Sequence, residues 1–155
     1  MDRSTPPRLA VLRAAALALS LCRAAPPALA AADIGQIKVS KGAVEIERDG
    51  QTMPGAVGAR LQAADVIRTG ADGSVGITMS DNSLLSAGPN SILSLDRYAF
   101  DSTTSQGQFD TSLRKGSVSI VSGRIAKQSP DAMTVRTPTA ILGVRGTEFA
   151  VSVEN

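Results

Sequence analysis

An all-β fold of short strands is what this 155-residue sequence predicts, and three observations predict it. Apolar residues alternate with small or polar ones in run after run, the period of a half-buried strand. Clusters of Gly, Asp, Asn, Ser and Pro punctuate the runs at short intervals. From Ile34 onward no stretch carries the helical period. These three together fit a rolled or solenoid-like sheet, a small β-barrel or a sandwich.

Residues 1–32 read as a secretory signal peptide, and residues 33–155 as one β domain. Arg3, Arg8 and Arg13 make a basic start, residues 14–22 an apolar stretch, and Ala28-Leu29-Ala30 and Ala30-Ala31-Ala32 the small-x-small pattern before a cleavage site, placed before Asp33. Arg23 interrupts the apolar run, which is too short for a membrane helix of about 20 residues. The expected location is therefore exported and periplasmic, with no transmembrane helix in the mature chain. Leu19-Ser20-Leu21-Cys22 also has the outline of a lipoprotein box, so lipid anchoring through Cys22 is the minor alternative; Leu21 and Arg23 depart from that pattern.

In the β domain the alternation is carried in turn by Ile37 and Val39, Val44 and Ile46, Val75 with Ile77 and Met79, Val118 and Ile120, then Met133 and Val135. Turns are signalled at Asp49-Gly50, Gly70-Ala71-Asp72-Gly73, Asp81-Asn82, Gly88-Pro89-Asn90, Ser122-Gly123 and Ser129-Pro130-Asp131. A weak echo links Gly42-Ala43-Val44-Glu45-Ile46, Gly73-Ser74-Val75-Gly76-Ile77 and Gly116-Ser117-Val118-Ser119-Ile120 at unequal offsets, as if like strands were stacked. The polar residues 101–108, bracketed by Tyr98, Phe100 and Phe109, predict an exposed loop with ends pinned by aromatic packing.

Charge and residue inventory narrow the function. The leader takes four arginines against one acid, leaving 12 basic and 13 acidic groups in residues 33–155. That balance, with only Tyr98, Phe100, Phe109 and Phe149 as aromatics, gives no basis for a nucleic-acid partner. There is no His to serve as the base of a serine hydrolase, and nothing gives Lys115 beside Ser117, or Lys127 beside Ser129, a desolvated setting. The Asp72, Asp81 and Asp110 loops lack the alternating carboxylates of a calcium loop, and each reads as a turn residue. The expectation is a non-enzymatic protein with no catalytic residue, no metal site and no cofactor. Asp65 reads as a turn cap or a solvent-facing residue without chemistry.

The most specific stretch is Thr137-Pro138-Thr139-Ala140-Ile141-Leu142-Gly143-Val144-Arg145-Gly146-Thr147-Glu148-Phe149-Ala150-Val151. Pro138 biases Thr137 toward an extended conformation, as at the start or edge of a strand. Gly143 and Gly146 mark places for positive φ or a close neighbour. Phe149, Val151 and Val153 share one strand face while Val144 has the other parity, so a bulge or turn near Gly146 would bring all four to one core. Arg145 is expected to bond turn carbonyls, and Glu148 to pair with it or with a neighbouring arginine; these roles are structural, and binding a partner is the alternative. Thr137, Thr139 and Thr147 read as strand-surface residues.

The order Thr-Pro-x-Ala-x-x-Gly-Val-Arg-Gly-Thr-x-Phe resembles the signature of the FecR domain family, carried here by Thr137, Pro138, Ala140, Gly143, Val144, Arg145, Gly146, Thr147 and Phe149. Ala64-Asp65-Val66-Ile67-Arg68-Thr69-Gly70 and the stretch from Gly73 through Asn82 to Ser91 look like the same family, so the resemblance covers about residues 35–153. It tilts the fold toward a rolled, solenoid-like sheet. It implies a sensory or protein-interaction module in envelope signalling, with an unidentified envelope protein as partner. The alternative is a structural or self-assembling envelope protein, for which self-association is the mark. The binding edge expected for the interaction module is the strand of Phe149, Val151 and Val153, because an unpaired edge accepts a strand from another protein.

Overall fold

The computed structural model describes residues 31–145 and 148–154. Twelve strands and one short helix follow in order: β1 (Gly35–Lys41), β2 (Val44–Arg48), β3 (Gln51–Pro54), β4 (Arg60–Leu61), β5 (Val66–Thr69), β6 (Ser74–Met79), β7 (Leu84–Ala87), β8 (Ile92–Phe100), β9 (Gly107–Val121), α1 (Arg124–Gln128), β10 (Met133–Arg136), β11 (Ile141–Gly143) and β12 (Glu148–Val153). All the strands belong to one curled sheet, an open half-barrel.

The frame is the 15-residue strand β9. β7 and β8 lie end to end along one side of it, both antiparallel, and residues 88–91 form the corner between them. β9 turns the same corner at Gly116, whose φ of +84° is the left-handed region that favours glycine. Ser91 clamps the two corners together: its hydroxyl accepts from the Ser117 amide at 3.0 Å and donates to the Ser117 carbonyl at 3.1 Å. Each half of the bent ribbon then grows outward, through β5, β2 and β3 from β8, and through β6, β1 and β4 from β7. On the other side of β9, its first half pairs in parallel with β10, which pairs with β11, and its second half pairs antiparallel with β12.

The alternation predicted from sequence points inward as expected. Ile37, Ile46, Ile67, Ile77, Leu85, Leu93, Leu113, Ile120 and Val135 are fully buried between the two arms of the roll. Burying a side chain of this size contributes about 1.5–3 kcal/mol, which is what holds an otherwise open sheet curled. Val39 departs from the pattern. A register shift between Ile37 and Val39 turns Val39 outward, so it is 47 % exposed.

Local chemistry accounts for the turns. Asp49 and Gly50 both have positive φ, +51° and +76°, and form the two-residue hairpin between β2 and β3. The polar loop closes the β8–β9 hairpin, and Tyr98 faces Phe109 across it with ring centroids 5.2 Å apart at 76°. Gly107 already pairs with Phe100, so the loop itself is residues 101–106.

Two expectations about architecture change. The echo strands β2, β6 and β9 are not neighbours, and the pairings are antiparallel except for β9 with β10, so the roll comes from a bent hairpin and not from stacked like rungs. Their glycines recur where the chain bends close against another segment: a Cβ on Gly42 would meet the backbone of Asp72, and one on Gly116, inside β9, the backbone of Ser91. Asp65 is not a solvent-facing residue either. Its carboxylate is fully buried, takes both Nε and Nη2 of Arg48 at 2.7 Å, and accepts the Gln62 amide at 2.8 Å. Arg48 also donates to the Arg60 carbonyl, tying the β2–β3 hairpin to the strands that follow.

Candidate functional site

Two strand edges face each other on the β9 side of the half-barrel. Among the described residues β12 pairs only with β9, and β11 only with β10, so each keeps one edge of unpaired backbone groups. Between them lie two cavities of about 320 Å³ and 460 Å³. Leu142 and Val151 line both, so the two cavities are neighbours and together make a trough along the full length of β12.

The signature stretch builds this trough. The β10–β11 hairpin closes through residues 137–140, where the Thr137 amide donates to the Ala140 carbonyl at 2.8 Å and the Thr137 hydroxyl accepts the Ala140 amide at 3.0 Å. Pro138 follows Thr137 inside that turn, where its fixed φ is suited. Thr137 and Thr139 are therefore turn residues, not strand-surface residues, because Arg136 and Ile141 already form the last pair of the ladder. The turn leaves Ile141 and Leu142 on the short edge strand, 71 % and 37 % exposed. Sequence reasoning passed over both, although two adjacent large aliphatic residues after a turn are a visible signal.

Val144 closes the trough floor. It is 3 % exposed and its amide donates to the Met133 carbonyl at 3.0 Å. Phe149, Val151 and Val153 are half-buried against the same core, so all four apolar side chains do reach one core, β11 ending at Gly143 and β12 starting at Glu148. Gly146 and Thr147, which the expected break involves, lie outside the described residues, as do Cys22 and nearly all of the signal peptide. Gly143 needs neither positive φ nor room: a Cβ there would meet nothing within 4 Å.

Charges at the trough differ from expectation. Arg145 reaches Asp131 at 2.8 Å with both side chains exposed; among the described residues it bonds no turn carbonyl. Glu148 pairs with no cation among the described residues. Glu154 and Arg114 line the other end without forming an ion pair. Chemically the trough offers apolar surface, backbone donors and acceptors along two edges, and a few exposed charges.

A separate buried polar cluster holds the end of the roll. Asp81 is fully buried; its carboxylate accepts from the Ser83 hydroxyl at 2.7 Å, the Ser83 amide at 3.1 Å and the Ile125 amide at 3.3 Å. Ser83 in turn accepts the Gly123 amide at 2.9 Å, so the cluster fastens α1 to the β6–β7 turn. Burial and then the Asp81 charge push the Tyr98 phenol above its ordinary range, since ionised phenolate would be poorly solvated beside a carboxylate. Its donors and acceptors are consumed internally, which makes it a fastening and not a reactive site.

Among the described residues no helix is long and apolar enough to cross a membrane, and no group of three or more His, Cys, Asp or Glu is placed to hold a metal. No curated protein and no solved structure matches the chain. Residues 65–155 match the family model described as FecR protein, a span that starts at the buried Asp65 and takes in β5 to β12, while β1–β4 complete the same sheet from outside it. With its signature stretch forming the trough and more than half its length matched, the chain belongs to the FecR family.

Proposed function

We propose that this protein is a non-enzymatic, exported module of the bacterial envelope that recognises another protein in signalling. The observation that carries the reading is the trough between β11 and β12, where the family's signature residues frame two unpaired strand edges over exposed Leu142 and half-buried Phe149 and Val151. Contiguous apolar surface bounded by unpaired backbone is the usual equipment of a strand-accepting interface. Export rests on the composition of residues 1–32, with a basic start, a short apolar run and small residues before Asp33. The non-enzymatic reading rests on the residue inventory, which holds no His, and on the trough, where among the described residues no hydroxyl is hydrogen-bonded to a carboxylate or a lysine.

The test is crosslinking in living cells from a photoreactive residue placed at Ile141, with Val57, an exposed apolar position elsewhere, as the control. One envelope receptor or transducer captured from Ile141 but not from Val57, by a chain processed near Asp33, is the expected result. Capture only of further copies or of wall material would replace the reading with a structural, self-assembling role. An unprocessed cytoplasmic chain would overturn the location.

A further inference from the structure

The trough has a direction, a parity and an uneven charge, and these say what kind of segment fits it. β12 is six residues long, about 20 Å at the usual rise per residue. Phe149, Val151 and Val153 turn toward the core, and Glu148, Ala150, Ser152 and Glu154 are exposed on the other parity. A strand laid beside β12 places every second side chain over Leu142, Phe149 and Val151, and the alternate ones beside two small residues and two acids. Arg145 is already matched by Asp131 at 2.8 Å, and Arg114 lies at the Glu154 end. Glu148 lines the same cavity as Arg145 but forms no ion pair among the described residues, since Arg145 is turned to Asp131.

We infer that the trough takes an extended segment of another protein which adds as a strand to β12, its apolar side chains at alternate positions turned inward and a lysine or arginine beside Glu148. This rests on the interaction reading above and names the chemistry of the partner. A second copy of this chain fits less well. In the antiparallel register that overlaps all of β12 with its copy about Val151, Glu148 lies opposite Glu154, and like charges directly opposite are destabilising. The small Ala150 and Ser152 leave room for long outward side chains on the incoming strand.

The experiment uses the full chain and three fluorescent seven-residue peptides that alternate valine with lysine, threonine or glutamate, followed by anisotropy. The lysine peptide is expected to bind about tenfold more tightly than the glutamate peptide, with threonine between them and the difference shrinking in high salt. Glu148→Lys, an exposed substitution, reverses the order. Leu142→Asp weakens all three. Equal binding of the peptides, or an order unmoved by Glu148→Lys, overturns the cationic preference. Dimerisation with crosslinks between β12 and its copy assigns the trough to self-association and overturns the inference. If no peptide binds while Ile141 still captures a defined envelope protein, the strand-addition chemistry fails and the interaction reading stands. Peptide binding without any such capture in cells does the reverse.

Discussion

Asp81 and Tyr98 are joined twice: the Asp81 amide donates to the Tyr98 oxygen at 2.8 Å, and the phenol donates to Asp81 Oδ1 at 3.2 Å. Tyr98 thereby links the β8–β9 hairpin to the turn that holds α1. Tyr98→Phe keeps the ring packed on Phe109 but strands the Asp81 amide in the interior and leaves Asp81 Oδ1 with the Ser83 amide as its one donor. Its expected cost is about 1–3 kcal/mol, read from urea denaturation.

The same pair sets a response to alkali. The folded state raises the Tyr98 pKa above its ordinary value of about 10, so the folded protein holds the phenol proton more tightly than the unfolded chain. That stability is complete below pH about 10 and is lost as pH climbs toward the raised folded value. Melting temperatures measured from pH 8 to 11 should fall above about pH 10, and fall less steeply in Tyr98→Phe.

Breaking the Arg48–Asp65 pair has a larger effect. Asp65 has no exposed side-chain surface and Arg48 only 22 %, so Arg48→Ala leaves a buried carboxylate with the Gln62 amide as its remaining donor. A loss of about 3 kcal/mol is expected in chemical denaturation. Arg48→Met combined with Asp65→Leu recovers part of that loss, since removing both charges is less harmful than stranding one.

Arg145→Ala should do little to the fold. The arginine and its partner Asp131 are 73 % and 84 % exposed, and such pairs are worth on the order of 0–1 kcal/mol. A calorimetric melt checks this, and a drop comparable to that of Arg48→Ala would show a role that the ion pair does not explain.

Two backbone substitutions should act in opposite directions. Ala64 sits at φ +71°, where a side chain is strained, so Ala64→Gly is expected to stabilise by about 0.5–1 kcal/mol. Gly116→Ala should destabilise by about 2 kcal/mol or more, because φ is +84° and a Cβ would lie 2.6 Å from Ser91 Cα, a backbone atom that cannot swing aside. Thermal denaturation of the two variants side by side tests both.

The parts of this protein that are legible without coordinates are those governed by neighbours in sequence. Alternation at Ile37, Val44 and Ile46, Val75 to Met79, and Val118 and Ile120 marks the strands, because a pleated strand exposes its faces with a period of two. Asp49-Gly50 marks a hairpin, because both positions take positive φ. The signature stretch is visible, and so is the edge strand at Phe149. What escaped notice depends on residues far apart. Arg48 meets Asp65, Asp81 meets Tyr98, and Asp131 meets Arg145 across separations of 17, 17 and 14 residues. Nothing in the local pattern distinguishes these aspartates from the turn residues they resemble.

The class of fold, all-β with short strands, thus follows from side-chain period and turn chemistry, which are properties of a few residues at a time. Whether those strands stack, close or stay open was decided elsewhere. The Ser91–Gly116 corner bends one hairpin across both arms and puts the ends of β11 and β12 opposite each other. That corner is a contact between backbones 25 residues apart, and only the packed chain brings them together.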